Sequence, residues 1–354
     1  MAKTRVLVVD DSALIRQLLT RMLSSDPDIE VVDTAPDPLI AREKIKRLNP
    51  DVVTLDIEMP RMDGLEFLRK IMALRPMPVV MVSSLTQEGA DATLRALEIG
   101  AVDFVAKPTS DLQSGLLQKQ AEIIQKVKVA AGARVRTRAI ADGSPPQMLK
   151  SGPGYASTEK IIAIGASTGG VEAVTQILRV LPADSPAVLV TQHMPERFTT
   201  SFARRLDGLC AINVSEAQHG VRILPGHAYI APGSTHLELG RSGANYVCTV
   251  ERTDLVSGHC PSVDVLFHSV ARAAGANAVA AILTGMGKDG ADGLLALRRA
   301  GAHTIGQDEA TCVVYGMPRV AFEAGAVETQ LPIGRIAGEL LELGAARRNR
   351  NIRV

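Results

Sequence analysis

The stretch Arg5-Val-Leu-Val-Val-Asp-Asp-Ser12 begins an alternation of strand and helix patterns that runs through the first part of the chain. The apolar run Val6–Val9 predicts a buried parallel strand, and apolar residues then recur at helical spacing over Ser12–Leu23. Five such strand–helix units in succession predict a doubly wound α/β domain on a five-stranded parallel sheet. The strands are predicted at Val6–Val9, Ile29–Val32, Asp51–Ile57, Pro78–Val82 and Asp103–Ala106, and the later helices at Leu39–Leu48, Gly64–Leu74, Gln87–Ile99 and Leu116–Val129.

Charged and hydroxyl residues end most of these strands. They are Asp10, Asp11, Asp56, Ser83 and Lys107. The carboxyl ends of parallel strands share one edge of the sheet, where clustered carboxylates repel one another unless a cation joins them. Mg²⁺ prefers oxygen ligands, and beside it Asp56 could attack a phosphoryl donor. Taken singly, each residue could be a helix cap or a solvated strand end, but the whole set favours a phosphoryl-transfer site.

Four segments within residues 5–125 match a known domain family. They are Val8-Val9-Asp10-Asp11-Ser12, Leu55-Asp56-Ile57-Glu58-Met59-Pro60-Arg61-Met62-Asp63-Gly64, Val82-Ser83-Ser84 and Ala106-Lys107-Pro108. By these segments the first half resembles a response-regulator receiver domain, which has a flavodoxin-like fold. The resemblance implies that Asp56 is phosphorylated by a partner histidine kinase.

The same resemblance implies further roles around Asp56. A Mg²⁺ ion would be held by Asp10, Asp11, Asp56 and the backbone carbonyl of Glu58. Lys107 would contact the acyl phosphate, and Ser83 would be the switch hydroxyl. The peptide bond between Lys107 and Pro108 would be cis, as X–Pro bonds more readily are.

A basic segment separates the two halves. Residues 126–160 carry seven lysines and arginines against two acidic residues, and they include Pro145-Pro146 and Gly152-Pro153-Gly154. Apolar periodicity fades after about Val129, so an interdomain linker is predicted. Its charge either keeps the linker solvated or gives its arginines a docking role. The predicted domains are residues 1–127 and 158–350, joined by a linker over residues 128–157.

The second half is predicted to be another doubly wound α/β domain, because it is too long and too rich in strands for a helix-turn-helix module. A Gly- and Pro-rich stretch at Ile223–Gly240 predicts an inserted β-hairpin. The strands are predicted at Ile161–Ile164, Val188–Thr191, Ala228–Ile230, Tyr246–Val250, Val279–Leu283 and His303–Ile305, and the helices at Gly170–Leu181, Asp264–Ala274, Gly290–Ala300 and Gly334–Leu343.

A glycine-rich turn, Gly165-Ala-Ser-Thr-Gly169, joins the first of these strands to a helix. It fits the G-x-S-x-G pattern, which exposes a serine hydroxyl, here that of Ser167, at a strand-to-helix turn. The N-terminus of the following helix favours developing negative charge. The turn alone does not distinguish a serine nucleophile from a phosphate-binding loop or a purely structural turn.

Two later strand ends favour the nucleophile. His193 ends the next strand, where a dinucleotide-binding fold would place an acidic residue, and it could be the general base for Ser167. Asp289 follows a third strand, where it could orient His193 or simply cap a helix. The backbone N–H groups of Met286 and Thr168 are candidate oxyanion donors. The order Ser, His, Asp along the chain differs from three familiar triad orders, so the arrangement would have arisen separately.

Five segments of the second half match a second family. They are Gly165-Ala-Ser-Thr-Gly-Gly170, Gln192-His193-Met194-Pro195, Ile230-Ala-Pro-Gly-Ser234, Pro261-Ser-Val-Asp264-Val-Leu-Phe267 and Thr284-Gly-Met-Gly-Lys-Asp-Gly290. Together with the preceding receiver, they resemble the protein-glutamate methylesterases of bacterial chemotaxis. The resemblance implies hydrolysis of γ-glutamyl methyl esters on methyl-accepting chemoreceptors, with release of methanol, and deamidation of particular receptor glutamines. The family's triad would be Ser167, His193 and Asp289, with Met286 as oxyanion donor.

The same resemblance implies that the chemotaxis histidine kinase is the phosphodonor for Asp56 and that the receiver regulates the esterase. We expect the unphosphorylated receiver to cover the catalytic edge, and phosphorylation of Asp56 to shift the equilibrium toward an open state. The alternatives are a phosphorylation-dependent nucleotide-binding module and a phosphorylation-dependent interaction module. The first needs an acidic residue where His193 stands, and the second leaves the three strand-end residues unexplained. No role follows for Ser257-Gly-His-Cys260.

The amino-acid composition limits the classes of partner and the cellular location that we expect. The 354 residues are 46% hydrophobic and carry a formal net charge of +1, so no global field draws the chain to nucleic acid or membrane. Aromatic residues are only 3%, which argues against stacking platforms for single-stranded nucleic acid. Signal-peptide and membrane-spanning patterns are absent, and the four cysteines form no CxxC pair. We therefore expect a cytoplasmic protein with no membrane insertion and no cofactor in the second domain.

Overall fold

The computed structural model describes residues 3–59, 62–84, 86–107, 119–135, 148–150 and 159–345. The chain divides into two compact units, Met1–Ser144 and Pro145–Val354. Each unit has its own parallel sheet, with helices between the strands. The predicted fold class, a receiver-type α/β sheet followed by a second α/β domain, is confirmed.

The first unit is built on a five-stranded parallel sheet. Its elements are β1 (Thr4–Val9), α1 (Ala13–Leu23), β2 (Ile29–Ala35), α2 (Pro38–Leu48), β3 (Val52–Asp56), α3 (Gly64–Leu74), β4 (Val79–Ser84), α4 (Gln87–Ile99), β5 (Asp103–Lys107) and α5 (Gln120–Ala131). The strand order is β2-β1-β3-β4-β5, and every neighbouring pair is parallel. Because the order reverses beside β1, the carboxyl ends of β1 and β3 border the crevice where such sheets bind ligands.

Local sequence explains the ends of these helices. Ser12 caps α1 by accepting a hydrogen bond from the Ile15 N–H at 3.4 Å, and Asp37 caps α2 in the same way. Asn49 ends α2 in the left-handed region, with φ at 47°, which asparagine tolerates better than most residues. β3 is buried along its whole length, so it appears in the sequence as a mostly apolar run, with Thr54 inside it and Asp56 at its end.

The last helix of the first unit differs from its prediction. α5 runs to Ala131, past the predicted domain end at residue 127. Lys126, which was counted in the basic linker, donates to Asp103 Oδ1 at 3.2 Å within this unit. The first residues of the predicted linker are therefore helical and belong to the first unit. Most of the remaining linker lies outside the described residues.

The second unit has a seven-stranded parallel sheet and a separate hairpin. Its elements are β6 (Ile161–Ala166), α6 (Gly170–Leu178), β7 (Ala187–Gln192), α7 (Glu196–Asp207), β8 (Asn213–Glu216), β9 (His227–Ile230), β10 (His236–Ser242), β11 (Asn245–Glu251), α8 (Val263–Ala273), β12 (Ala278–Ile282), α9 (Ala291–Arg299), β13 (His303–Gln307), α10 (Met317–Glu323), β14 (Thr329–Leu331) and α11 (Ile333–Ala345). The sheet order is β14-β13-β12-β6-β7-β9-β8. Because this order reverses between β6 and β12, the ends of β6, β7 and β12 lie side by side at one crevice.

The hairpin lies later in the chain than predicted. β10 and β11 pair antiparallel from His236 opposite Glu251 to Ser242 opposite Asn245, and Gly243 in the turn has φ 58°. The predicted hairpin range, Ile223–Gly240, instead contains β9, which pairs in parallel with β7 and β8. That prediction was wrong because the glycines and prolines there mark loops on either side of a core strand, whereas a positive-φ glycine closes the actual turn.

Close packing brings the start of α8 onto β6. A Cβ at Gly165 would collide with the side chain of Val263, and Phe267 lies just beyond it. Glycine in β6 therefore allows the first turn of α8 to approach the sheet directly beneath the crevice. None of the helices in the described ranges is both long enough and apolar enough to cross a lipid bilayer.

Candidate active site and phosphorylation site

Ser167 occupies the turn between β6 and α6. Its N–H donates to the Thr284 carbonyl at 3.1 Å, and its own carbonyl accepts from the Gly170 N–H at 2.7 Å. Gly169 has φ +78°, and a Cβ there would lie 2.7 Å from Val313 Cβ. Position 169 therefore needs glycine both for its backbone conformation and for space. The result is a tight turn whose serine is only partly buried.

His193 follows β7 and lies between Ser167 and Asp289. Its Nδ1 is 3.1 Å from Ser167 Oγ, and its Nε2 is 2.7 Å from Asp289 Oδ2. An ionised carboxylate only accepts hydrogen bonds, so Nε2 donates to Asp289 and Nδ1 accepts from the serine hydroxyl. The two ring nitrogens thus have the reverse of their roles in trypsin-like triads, where Nε2 faces the serine.

Asp289 is buried and accepts four hydrogen bonds. Oδ1 accepts from Ser262 Oγ at 2.7 Å and Asp264 N at 3.0 Å, and Oδ2 accepts from Val263 N and His193 Nε2, both at 2.7 Å. Burial raises the pKa of this carboxyl, but the hydrogen bond and charge of His193 and the donors at the start of α8 outweigh burial and lower it to about 2. The carboxylate is therefore ionised at neutral pH and can stabilise an imidazolium.

The carboxylate of Asp289 does not cap its own helix. α9 begins after Gly290 and has no side-chain cap, whereas the carboxylate accepts the first N–H groups of α8. Ser262 and Val263 therefore hold Asp289 in place, although no role was predicted for them from the sequence. The pattern Ser-Val-Asp at 262–264 is typical of a helix N-terminus, so a signal was present, but it did not identify the partner.

The pH dependence of stability tests the ionisation of Asp289. Its pKa of about 2 in the folded protein lies below the ordinary 3.8, so the ionised carboxylate stabilises the fold above about pH 4. Between about pH 5 and about pH 2, urea unfolding of the wild type should lose about 2 kcal/mol that Asp289→Asn does not lose. Equal pH dependence of the unfolding free energy in the two proteins would contradict this ionisation.

The turn after β12 lies against Ser167. A Cβ at Gly285 would be 2.8 Å from Ser167 Cβ, and Gly287 has φ +90°. Among the described residues, the N–H of Met286 has no hydrogen-bond acceptor. The carbonyl of Thr168 accepts from Thr284 Oγ1 at 3.0 Å. Both predicted oxyanion donors are thus on turns that border Ser167.

Two further side chains contact Ser167 or His193, and no sequence pattern predicted a role for either of them. The ring of His259 stacks on that of His193, with centroids 3.7 Å apart and planes inclined by 12°. Gln192 Nε2 donates to the carbonyls of Ser167, at 2.9 Å, and His193, at 3.2 Å. A single histidine in a loop carries no motif, so only its position in the folded chain reveals His259.

In the first unit, the structure brings Asp10, Asp56 and Lys107 together. Lys107 Nζ lies 2.7 Å from Asp56 Oδ2 and 3.0 Å from Asp10 Oδ2. The ligand oxygens of Asp10, Asp11 and Asp56 all lie within 4.8 Å of one another. These residues come from the ends of β1, β3 and β5, as the strand pattern indicated.

The two buried carboxylates carry more negative charge than Lys107 neutralises. Burial, with a contribution from the Asp10 charge, raises the pKa of Asp56 to about 6 despite the opposing effect of Lys107. Burial raises the pKa of Asp10 in the same way. Asp10 Oδ2 lies 3.0 Å from Lys107 Nζ, and the same ammonium group also pairs with Asp56. Three clustered carboxylates beside this one ammonium group still carry net negative charge, and their oxygen atoms are ligands that suit a divalent cation such as Mg²⁺.

Ser83 and Glu58 have other side-chain partners. Ser83 Oγ is buried and donates to the Gly89 carbonyl in α4 at 3.1 Å. Glu58 Oε1 accepts from Ser84 Oγ at 2.9 Å, so its side chain is engaged away from the cluster. The predicted ligand from Glu58, its backbone carbonyl, is unaffected by that contact. The predicted cis bond before Pro108 lies outside the described residues.

Two family models match the chain. The model of the CheB methylesterase matches residues 162–340, and the model of the response regulator receiver domain matches residues 6–117. These ranges correspond to the two units found in the structure.

Individual relatives extend the match over nearly the full length. The chain is 59% identical over 342 residues to a protein-glutamate methylesterase/protein-glutamine glutaminase of Bordetella parapertussis, covering 96% of this chain and 97% of that one. It is 58% identical to its counterpart in Salmonella typhimurium, with the same coverage. The crystal structure of the Thermotoga maritima CheB methylesterase catalytic domain is 39% identical and matches 52% of this chain and 98% of its own, with a TM-score of 0.51. The chain therefore belongs to the CheB methylesterase family, as a protein-glutamate methylesterase and protein-glutamine glutaminase that also carries a response-regulator receiver domain.

Proposed function

We propose that this enzyme demethylates γ-glutamyl methyl esters of chemoreceptors through Ser167, His193 and Asp289. The continuous hydrogen-bond chain from Ser167 Oγ through His193 to Asp289, at 3.1 and 2.7 Å, carries this proposal. A phosphate-binding loop does not require a general base that is hydrogen-bonded to a buried, ionised carboxylate. A serine nucleophile requires both a base such as His193 and a carboxylate such as Asp289 that orients this base.

Acylation begins when the Ser167 Oγ proton moves to His193 Nδ1 and Oγ bonds to the ester carbonyl carbon. The backbone N–H groups of Met286 and Thr168 hold the resulting oxyanion. The Nδ1 proton then passes to the methoxy oxygen, the bond from the carbonyl carbon to that oxygen breaks, and methanol leaves. Asp289 stays ionised throughout and stabilises the imidazolium.

Deacylation reverses these roles with water. His193 Nδ1 takes a proton from water as the water oxygen bonds to the glutamyl carbonyl carbon. The proton then returns to Ser167 Oγ as the ester bond to the serine breaks, leaving a glutamate side chain. A glutamine side chain follows the same path with ammonia as the leaving group, which accounts for a glutaminase activity at the same site.

Phosphorylation of Asp56 is proposed to raise the esterase activity. The Asp56 carboxylate would bond to the phosphorus of a histidine-kinase phosphodonor or a small acyl phosphate, and the donor group would leave. Lys107 Nζ, 2.7 Å from Asp56 Oδ2, is placed to bind a phosphoryl oxygen. The Ser83 hydroxyl is the candidate switch, because moving from the Gly89 carbonyl to the phosphoryl group would release its hold on α4.

Divalent-cation dependence tests the two halves of this proposal separately. Asp10, Asp11, Asp56 and the Glu58 carbonyl would hold Mg²⁺, which supplies positive charge for the phosphoryl oxygens. Chelation is expected to abolish stimulation by a small acyl phosphate but to leave basal activity, because no triad residue belongs to the cation site. The measurement is methanol release from methylated chemoreceptor membranes by the full chain, with and without Mg²⁺ and phosphodonor.

Each outcome of that measurement bears on a different part of the proposal. Release that rises with phosphodonor only in Mg²⁺ supports both parts. If methanol release in Mg²⁺ is the same with and without phosphodonor, the proposed esterase reaction stands and the proposed regulatory role of Asp56 is wrong. Absence of release under every condition contradicts the proposed reaction.

A further inference from the structure

We infer that His259 is a positioning residue for the esterase reaction. Its ring packs against one face of the His193 ring and keeps His193 oriented toward Ser167 and Asp289. The inference rests on the proposed triad. The two rings are nearly parallel, at 12°, with centroids 3.7 Å apart, so their faces are in van der Waals contact. The sequence motifs do not include His259, and none of the proposed steps uses it.

The His193 ring loses one of its hydrogen bonds during the reaction, so a packing contact on its face becomes important. In the resting enzyme, hydrogen bonds to Ser167 and Asp289 fix both edges of the His193 ring. In the acyl-enzyme, Ser167 Oγ has no proton, so the hydrogen bond that it donates to Nδ1 is lost. Asp289 alone would let the ring swing about its remaining contact. A ring stacked on one face opposes that motion and leaves the ring edge, where both nitrogens lie, open for proton transfer.

Stacking is also compatible with the positive charge that His193 acquires when it takes the serine proton. A cation is attracted to the face of a neutral aromatic ring, whereas two stacked cations would repel each other. His259 therefore has to act as a neutral ring while His193 carries the proton. A phenylalanine would supply the same neutral face, so the role requires a planar ring and not an ionisable nitrogen.

A hydrogen-bonded turn of the backbone next to His259 restricts the position of its ring. Val256 and His259 exchange both backbone hydrogen bonds, at 3.1 and 2.9 Å, across a two-residue turn. Ser257 and Gly258 in that turn have φ values of 53° and 81°, which is typical of a type I′ turn. Ser257 Oγ donates to Oδ2 of the buried Asp264 at 3.1 Å. Since Asp264 lies in the first turn of α8, one helix end positions both this turn and the carboxylate of the triad.

Three substitutions at this position in the full chain test the inference. Turnover by His259→Leu and His259→Ala is expected to fall between about tenfold and about 100-fold with little change in KM, because a ring displaced by about 1 Å loses rate of that order. His259→Phe should stay within about threefold of the wild type, because it keeps the stacked face. The readouts are kcat and KM for methanol release, with thermal unfolding of each variant.

A serine-directed fluorophosphonate adds a readout that needs no receptor. Its rate of reaction with Ser167 should fall less than turnover does in His259→Leu, because the resting ring is still held at both edges. His303→Leu is the matched control, since His303 is a half-buried histidine at the start of β13 whose Nδ1 lies 3.0 Å from Glu328 Oε2. We expect wild-type turnover and labelling from that variant.

Several results would overturn the inference. Equal turnover by the Phe and Leu variants, or wild-type turnover by the Ala variant, would show that no stacked ring is needed. If the Leu and Ala variants cannot fold, the Phe variant decides, because loss of turnover in a folded Phe variant contradicts the role and retained turnover supports it. A wild-type enzyme that neither releases methanol nor reacts with the fluorophosphonate would overturn the triad as well, which separates the two failures.

Discussion

Replacing Ser167 by alanine is expected to lower methanol release by a factor between about 10³ and about 10⁶, because the nucleophile and the acyl-enzyme are both lost. The contact between His193 and Asp289, at 2.7 Å, does not involve the serine hydroxyl, so the site should otherwise stay assembled. Initial rates of methanol release from methylated receptor membranes, with Mg²⁺ and phosphodonor present, measure the loss. Unchanged thermal unfolding would show that the loss is chemical.

The matched control is Ser215→Ala. Ser215 is an exposed serine in β8 of the same unit, and the substitution removes the same hydroxyl. We expect its methanol release to stay within about twofold of the wild type, as for most surface substitutions. If Ser167→Ala kept most of its activity, the assignment of the nucleophile would be wrong, and the second unit would need a different mechanism.

Replacing Asp56 by asparagine is expected to remove all stimulation by a small acyl phosphate and to leave basal methanol release intact. An amide does not form the acyl phosphate, and the triad residues belong to the second unit, whereas Asp56 belongs to the first. The variant should also unfold at a higher temperature than the wild type near pH 7.5 without Mg²⁺. The pKa of Asp56, about 6, exceeds the ordinary 3.8, so ionisation of this buried carboxyl costs stability above about pH 6.

Asp51→Asn is the control for that experiment. Asp51 is exposed in the same unit, and its Oδ2 accepts from the Arg5 N–H at 2.8 Å, a bond that asparagine can still accept. We expect this variant to incorporate phosphate from a labelled acyl phosphate and to respond like the wild type. Phosphate incorporation or stimulation in Asp56→Asn equal to that of the wild type would exclude Asp56 as the phosphorylation site.

Long buried strands were predictable from the sequence, and short edge strands were not. β6, β7 and β12 are buried along their whole length and appear as apolar runs. β8 and β14 have only four and three residues and lie at the two edges of the sheet. Their conformation depends on the strand beside them, so the local sequence carries too little signal. The hairpin was misplaced for a similar reason, because the loops around β9 are as rich in turn residues as a hairpin turn.

The site residues could be placed at strand ends, but their partners could not be identified. Turn composition and strand periodicity located Ser167, His193 and Asp289, because both are properties of neighbouring residues. The same reasoning left open whether Asp289 capped a helix, and it missed Ser262 and Val263, which hold that carboxylate from a different helix.

Periodicity and local turn chemistry in the sequence were thus enough to predict two α/β domains and to place the candidate site residues at one edge of each sheet. Contacts between distant parts of the chain needed the folded structure, because the sequence separations of 26 from Ser167 to His193 and of 96 from His193 to Asp289 impose no distance in space. Packing of α8 against β6 brings the donors at the start of α8 to Asp289, where they help to lower its pKa, and only the folded chain places the ring of His259 on that of His193. These features depend on the approach of side chains in three dimensions, and a one-dimensional pattern does not record that approach.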